Sequence, residues 1–230
     1  MRQGKTNFGI ARDVVIPLTR GQLQGELNIP SGASGVVLFA HGSGSSRHSP
    51  RNKYVARTLH QSKIGAFLID LLTREEEDEE KYTRHLRFDI DLLAQRLIFA
   101  TNWIKKHEEV ESFPIGYFGS STGAAAALVA AAELGEQVAV VVSRGGRPDL
   151  AGVSLPRVKA PTLLIVGGRD EQVINLNLNA YRQLQCEKKI EVVAGATHLF
   201  EEPGTLEEVA RLAAEWFKKH FESKAHAART

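Results

Sequence analysis

The chain has 230 residues, 29 Lys and Arg against 27 Asp and Glu, and a formal net charge of +2. That balance excludes the strongly basic surface of a nucleic-acid binder, and 43% hydrophobic residues exclude a disordered chain. The single cysteine, Cys186, excludes an internal disulfide and fits a reducing compartment. The longest apolar run, residues 124–132, is far short of the roughly 18 residues a membrane span needs. Residues 1–13 lack an apolar signal-peptide core. These features lead us to expect a soluble cytoplasmic protein with one domain over 1–230.

Residues 13–18 and 23–29 alternate like strands around Thr19-Arg20-Gly21-Gln22, a hairpin. Residues 36–40 are continuously apolar, the mark of a strand covered on both faces. They run into the polar loop His41-Gly42-Ser43-Gly44-Ser45-Ser46. A helix over 50–61 precedes a second buried run at 64–72. Residues 73–87, with the acidic run Glu75 to Glu80, read as a solvated charged loop. A metal site there would need converging geometry that a contiguous run rarely supplies. Ile90, Leu93, Leu97, Ala100 and Ile104 fall at helical spacing, predicting a long amphipathic helix over 88–107.

Gly119-Ser120-Ser121-Thr122-Gly123 follows, between an apolar run at 113–118 and a small-residue helix at 124–132. A serine at a sharp strand-to-helix turn is held in a strained backbone, with its hydroxyl pushed out above the sheet. A side chain at 119 or 123 would collide with the neighbouring strand or the returning helix. The unpaired amides of the first helical turn suit a developing oxyanion. No lysine follows in the Gly-Lys-Ser/Thr pattern, so a phosphate-cradling P-loop is not indicated.

Further strands are expected at 138–142, 161–166 and 190–193, with helices at 175–184 and 206–221 and a frayed tail at 222–230. The alternation implies a mostly parallel sheet with helices on both faces. Residues 144–160 contain Gly145, Gly146, Pro148 and Pro156 and leave room for one short helix, too little for a cap domain.

Ligands of open α/β sheets bind beyond the carboxyl ends of the strands. Here those ends carry the His41–Ser43 loop, Ser121, Arg144, Asp170 and His198, each directly after a predicted strand. The order Ser, Asp, His is the one that accompanies a Gly-x-Ser-x-Gly elbow. Glu171 and Asp149 compete with Asp170, and any of these acids could instead cap a helix. Arg144 has two readings: a bidentate hold on a substrate carboxylate, or pairing with a nearby acid. His41 is expected to brace its loop by hydrogen bonds rather than to move a proton.

On Gly119 to Gly123, Gly168-Arg169-Asp170, Gly195-Ala196-Thr197-His198 and His41 to Gly44, the chain resembles the α/β-hydrolase superfamily, and within it the dienelactone hydrolase-like proteins. The resemblance runs over about residues 36–221. It implies Ser121 as nucleophile, His198 as general base and then acid, Asp170 as the residue orienting His198, and an oxyanion hole from the amides of Thr122 and Ser43. Dienelactone hydrolase itself carries a cysteine where this chain has Ser121, so dienelactone as substrate does not follow. The expected activity is a serine hydrolase cleaving a small ester or related acyl bond through an acyl-enzyme. The rival is a non-catalytic binding or regulatory protein on the same fold. A small ester-like molecule is the expected partner, with no nucleic acid, membrane, metal or cofactor.

Overall fold

The structure, a computed structural model, describes residues 9–227. The first eight residues of the stretch searched for a signal peptide lie outside that range, as do residues 228–230 of the expected tail.

Eight strands form one sheet: β1 (Ile10–Pro17), β2 (Gln22–Ile29), β3 (Val36–Ala40), β4 (Gly65–Ile69), β5 (Ile115–Ser120), β6 (Val138–Arg144), β7 (Thr162–Gly167) and β8 (Lys188–Val193). Their order is β1-β2-β4-β3-β5-β6-β7-β8. The hairpin β1–β2 is antiparallel and adds to β4 antiparallel; every pairing from β4 through β8 is parallel. This is the mostly parallel sheet expected from the alternating pattern, and the α/β-hydrolase architecture that the resemblance implies. Every residue of β3 to β7 is buried, because helices cover both faces and no alternation of polar and apolar residues is needed.

On one face pack α3 (Ile90–Ile104), α4 (Thr122–Leu134) and α5 (Glu171–Gln183), and on the other α1 (Pro50–Gln61) and α6 (Thr205–Ala227). In α3, Leu93, Leu97, Ala100 and Ile104 are buried, as their spacing predicts. The helix α4 is apolar all round, and its alanines let it lie against the sheet without side chains to hold it off. The interval before β7 holds only 3-10 turns over Pro148–Arg157, and no cap domain stands over the sheet among the described residues.

Two elements differ most from expectation, beyond shifts of a few residues at element ends. The acidic stretch is not a loop but a helix, α2 (Arg74–Thr83). Thr73 and Glu76 form a reciprocal capping box, and Glu75, Glu76 and Glu77 sit in the first turn, where carboxylates complement the helix dipole. Arg96 and Arg87 neutralise Glu76 and Glu77, and buried Glu80 accepts the Leu86 amide at 2.8 Å. The like charges therefore end on different partners instead of repelling one another. The helix α6 also runs on to Ala227, taking in most of the expected tail.

The tight strand-to-helix turn should tolerate no added carbon. A Cβ on Gly123 would lie 2.5 Å from the His41 carbonyl oxygen, and one on Gly119 would lie 2.7 Å from the Ala124 nitrogen. Gly123→Ala should lower the urea midpoint by the equivalent of about 2–3 kcal/mol. Gly44→Ala, where a Cβ meets nothing within 4 Å, should stay within about 0.5 kcal/mol of wild type.

Candidate active site

The order of the strands reverses between β3 and β5, which leave their neighbour in opposite directions and open a crevice at their carboxyl ends. Ser121 sits there, immediately after β5, with φ 50° and ψ −123°. That conformation is costly for a residue with a Cβ, about 1–3 kcal/mol, and persists only where the surroundings enforce it. The Ser121 carbonyl accepts the Ala124 amide at 3.1 Å and the Arg147 amide at 3.0 Å, fixing the turn from both sides. Ser120, beside it, donates its hydroxyl to Asn52 Oδ1 of α1 at 3.2 Å, tying the turn to the opposite face of the sheet.

Asp170 follows β7 and His198 follows β8, and the two loops are stitched together by the Arg169 amide on the Ala196 carbonyl at 2.9 Å. His198 Nδ1 lies 2.7 Å from Asp170 Oδ2. A carboxylate only accepts, so Nδ1 carries the proton and Nε2 of the neutral ring keeps a lone pair. Asp170 is the N-cap of α5 but makes no capping hydrogen bond, so its carboxylate is committed to the histidine. The competing acids are placed elsewhere: Asp149 holds Arg147 in a bidentate pair at 2.9 and 2.8 Å, and Glu171 is an exposed residue of the first turn of α5.

Ser121 and His198 line one cavity of about 310 Å3, together with Ser43, Arg51 and Arg144. Neither the Ser43 nor the Thr122 amide donates to a backbone carbonyl among the described turn and loop hydrogen bonds. Ser43 lines the cavity, whereas the Thr122 side chain is buried behind the turn. The Ser43 loop is anchored at its far end by Arg47, whose guanidinium pairs with Asp70 and reaches Gln24 Oε1 at 2.8 Å. His41 is buried, and burial pushes its pKa down. Its Nε2 accepts the Leu71 amide at 3.2 Å and its Nδ1 donates to the Gly42 carbonyl at 3.0 Å. A neutral ring with both nitrogens engaged braces the loop and has no proton to offer.

Arg144, in register with Ser120 at the end of β6, is 7% exposed. The pairing with an acid does not occur: Arg144 has no ion pair among the described residues, and its Nε and Nη1 are buried without a partner. Its guanidinium stacks over Phe200 at 5.9 Å. Burial above all, and then the nearby Arg51, push its pKa down to about 10, so it stays charged at neutral pH. Arg51, Asn52, Arg47 and Asp70 were not among the residues singled out from the sequence. Only the position of Arg47 directly after the polar loop could have drawn attention to it, because the others lie on a helix or a strand end without a motif. Cys186 is half-buried with its thiol pKa pushed up by burial, which fits a packing residue.

A family model described as the dienelactone hydrolase family matches residues 23–225. The chain belongs to the dienelactone hydrolase family. A crystal structure of dienelactone hydrolase from Anabaena variabilis is 57% identical and superimposes with a TM-score of 0.90, covering 92% of this chain and 98% of that one. Est1E from Butyrivibrio proteoclasticus shares the fold at 14% identity and TM-score 0.77, with 91% of this chain and 99% of that chain covered. Two Mycobacterium tuberculosis proteins, named as proposed phosphoribosyl transferases, are 54% identical over 211 residues. That match takes in 91% of this chain and 47% of theirs, so the chain spans about half the length of these curated relatives.

An unpaired buried charge weakens the fold that holds it. The penalty on Arg144 is full at neutral pH and lifts only as pH rises past about 10. Replacing it with an uncharged side chain of similar length, Arg144→Met, should therefore stabilise the unliganded protein by up to about 3 kcal/mol. Calorimetry at neutral pH would register this as a higher melting temperature; a lower one would show that Arg144 is compensated.

Proposed function

We propose that this member of the dienelactone hydrolase family is a serine hydrolase that cleaves a small ester or related acyl bond through an acyl-enzyme on Ser121. The observation that carries the reading is the common cavity of a strained Ser121 and a His198 whose Nδ1 is held by Asp170 at 2.7 Å. In the proposed reaction His198 Nε2 takes the Ser121 hydroxyl proton as Oγ attacks the acyl carbon. The negative charge that develops on the carbonyl oxygen is received by the Ser43 and Thr122 amides. His198 then gives the proton to the departing alkoxide, and water repeats the sequence to free Ser121 and release the acid. Asp170 keeps the ring in the right tautomer and steadies the imidazolium. A cytoplasmic setting remains part of this proposal; no described helix is long and apolar enough to cross a membrane.

The cavity suits a small acyl group. Among the described residues, Leu199 is the one large apolar side chain in its lining, beside the guanidinium groups of Arg51 and Arg144. A longer chain gains about 0.8 kcal/mol per methylene only where apolar walls cover it.

Two measurements test the proposal. Asp170→Asn should remain folded and lose about 10⁴ in kcat, while Asp149→Asn and Glu171→Gln retain nearly full turnover. The reverse pattern would move the orienting role to another acid. Across nitrophenyl esters, kcat/KM should peak at short acyl chains, and a steady rise through long chains would refute the small-substrate assignment.

A further inference from the structure

The cavity beside Ser121 has a charge pattern that ester cleavage does not require. Among the described residues, two guanidinium groups, Arg51 and Arg144, line it, and no carboxylate does. Arg51 is half-buried and has one acid, Glu201, on its outer side at 3.0 Å; its Nε is buried without a partner. Arg144 is more than nine-tenths buried and keeps two nitrogens unpartnered. The two cations are close enough to disfavour one another. An uncompensated buried charge costs the fold stability, and a bound anion would remove that cost.

We propose that the substrate carries a phosphate monoester, seated between Arg144 and Arg51 while its acyl bond lies at Ser121. One carboxylate would answer Arg144 alone, while Arg51, whose single acid Glu201 is a solvent-screened outer pair, would keep much of its charge toward the cavity. A phosphate dianion matches both, and its three terminal oxygens can meet the Nη2 edges of Arg144 and Arg51 and the hydroxyls of Ser43 and Ser45, which line the same cavity. The phosphate is a handle and not the reacting group: its P–O bonds stay intact, and only the acyl bond is exchanged between alcohol, Ser121 and water. The turnover part of this inference rests on the proposed hydrolase activity, but the binding part does not.

Calorimetric titration of the full chain at about pH 8, where a phosphomonoester is a dianion, separates the two. The probes are phenyl phosphate and phenylacetate. Phenyl phosphate should bind more tightly by about tenfold or more, bind Ser121→Ala as well as wild type, and bind Arg144→Gln about 10- to 100-fold more weakly. It should also inhibit nitrophenyl ester hydrolysis competitively at the affinity measured by titration. Arg51→Gln provides the same comparison at a half-buried position should Arg144→Gln not fold. Equal or tighter binding of phenylacetate would overturn the phosphate assignment. So would wild-type affinity in the folded arginine variants, or no phenyl phosphate binding to wild type. Arginine-dependent binding by a protein that fails to hydrolyse esters would overturn the proposed activity and leave the anion site standing.

Discussion

The backbone at Ser121 is bent into a region that an L-residue avoids, and much of the surrounding sequence can be understood as holding it there. Gly119 and Gly123 remove the carbons that would strike Ala124 and the end of β3. The alanines of α4 allow its first turn to press down behind the serine. The Ala124 and Arg147 amides converge on the Ser121 carbonyl and leave the side chain pointing into the cavity it lines. The cost of about 1–3 kcal/mol is small against the burial of a fully covered parallel sheet. It yields a hydroxyl raised above the strand ends, where groups from three other loops can reach it.

Those loops are fixed by contacts that have no chemistry of their own. Arg47 on Asp70 holds the Ser43 loop, the Arg169 amide on Ala196 joins the loops of Asp170 and His198, and Asn52 reaches through to Ser120. Each joins segments far apart in the chain, so the cavity depends on the assembled sheet rather than on any local motif. Arg144 is the exception to this economy. It is placed by the register of β6 against Ser120 and, among the described residues, buried without a counter-charge. On our reading its destabilising presence is the mark of a ligand-facing group.

Local patterns in the sequence carried the architecture well. Continuous apolar runs gave the central strands, the three-and-four spacing gave α3, and the elbow motif gave the sharp turn, since each reflects an interaction between near neighbours. The acidic stretch is helical for a reason its charge does not show. The capping pair Thr73 and Glu76 was visible, but its arginine partners Arg87 and Arg96 come from beyond the helix. The same limit applies at the cavity. The spacing of Asp170 and His198 was legible, while the isolation of Arg144 was not, because an absent partner leaves no trace along the chain. Arg51 joins the cavity only through the packing of α1.

The central claim is that Ser121 is an activated nucleophile, and its covalent chemistry gives the most direct test. A fluorophosphonate reagent applied to the native protein, followed by mass spectrometry of the digested product, identifies the modified residue. The account predicts a single rapid adduct on Ser121, abolished in His198→Ala and after unfolding, because only a serine with a neighbouring base and oxyanion donors reacts in this way. An adduct on Ser120, or an unlabelled folded protein, would contradict it.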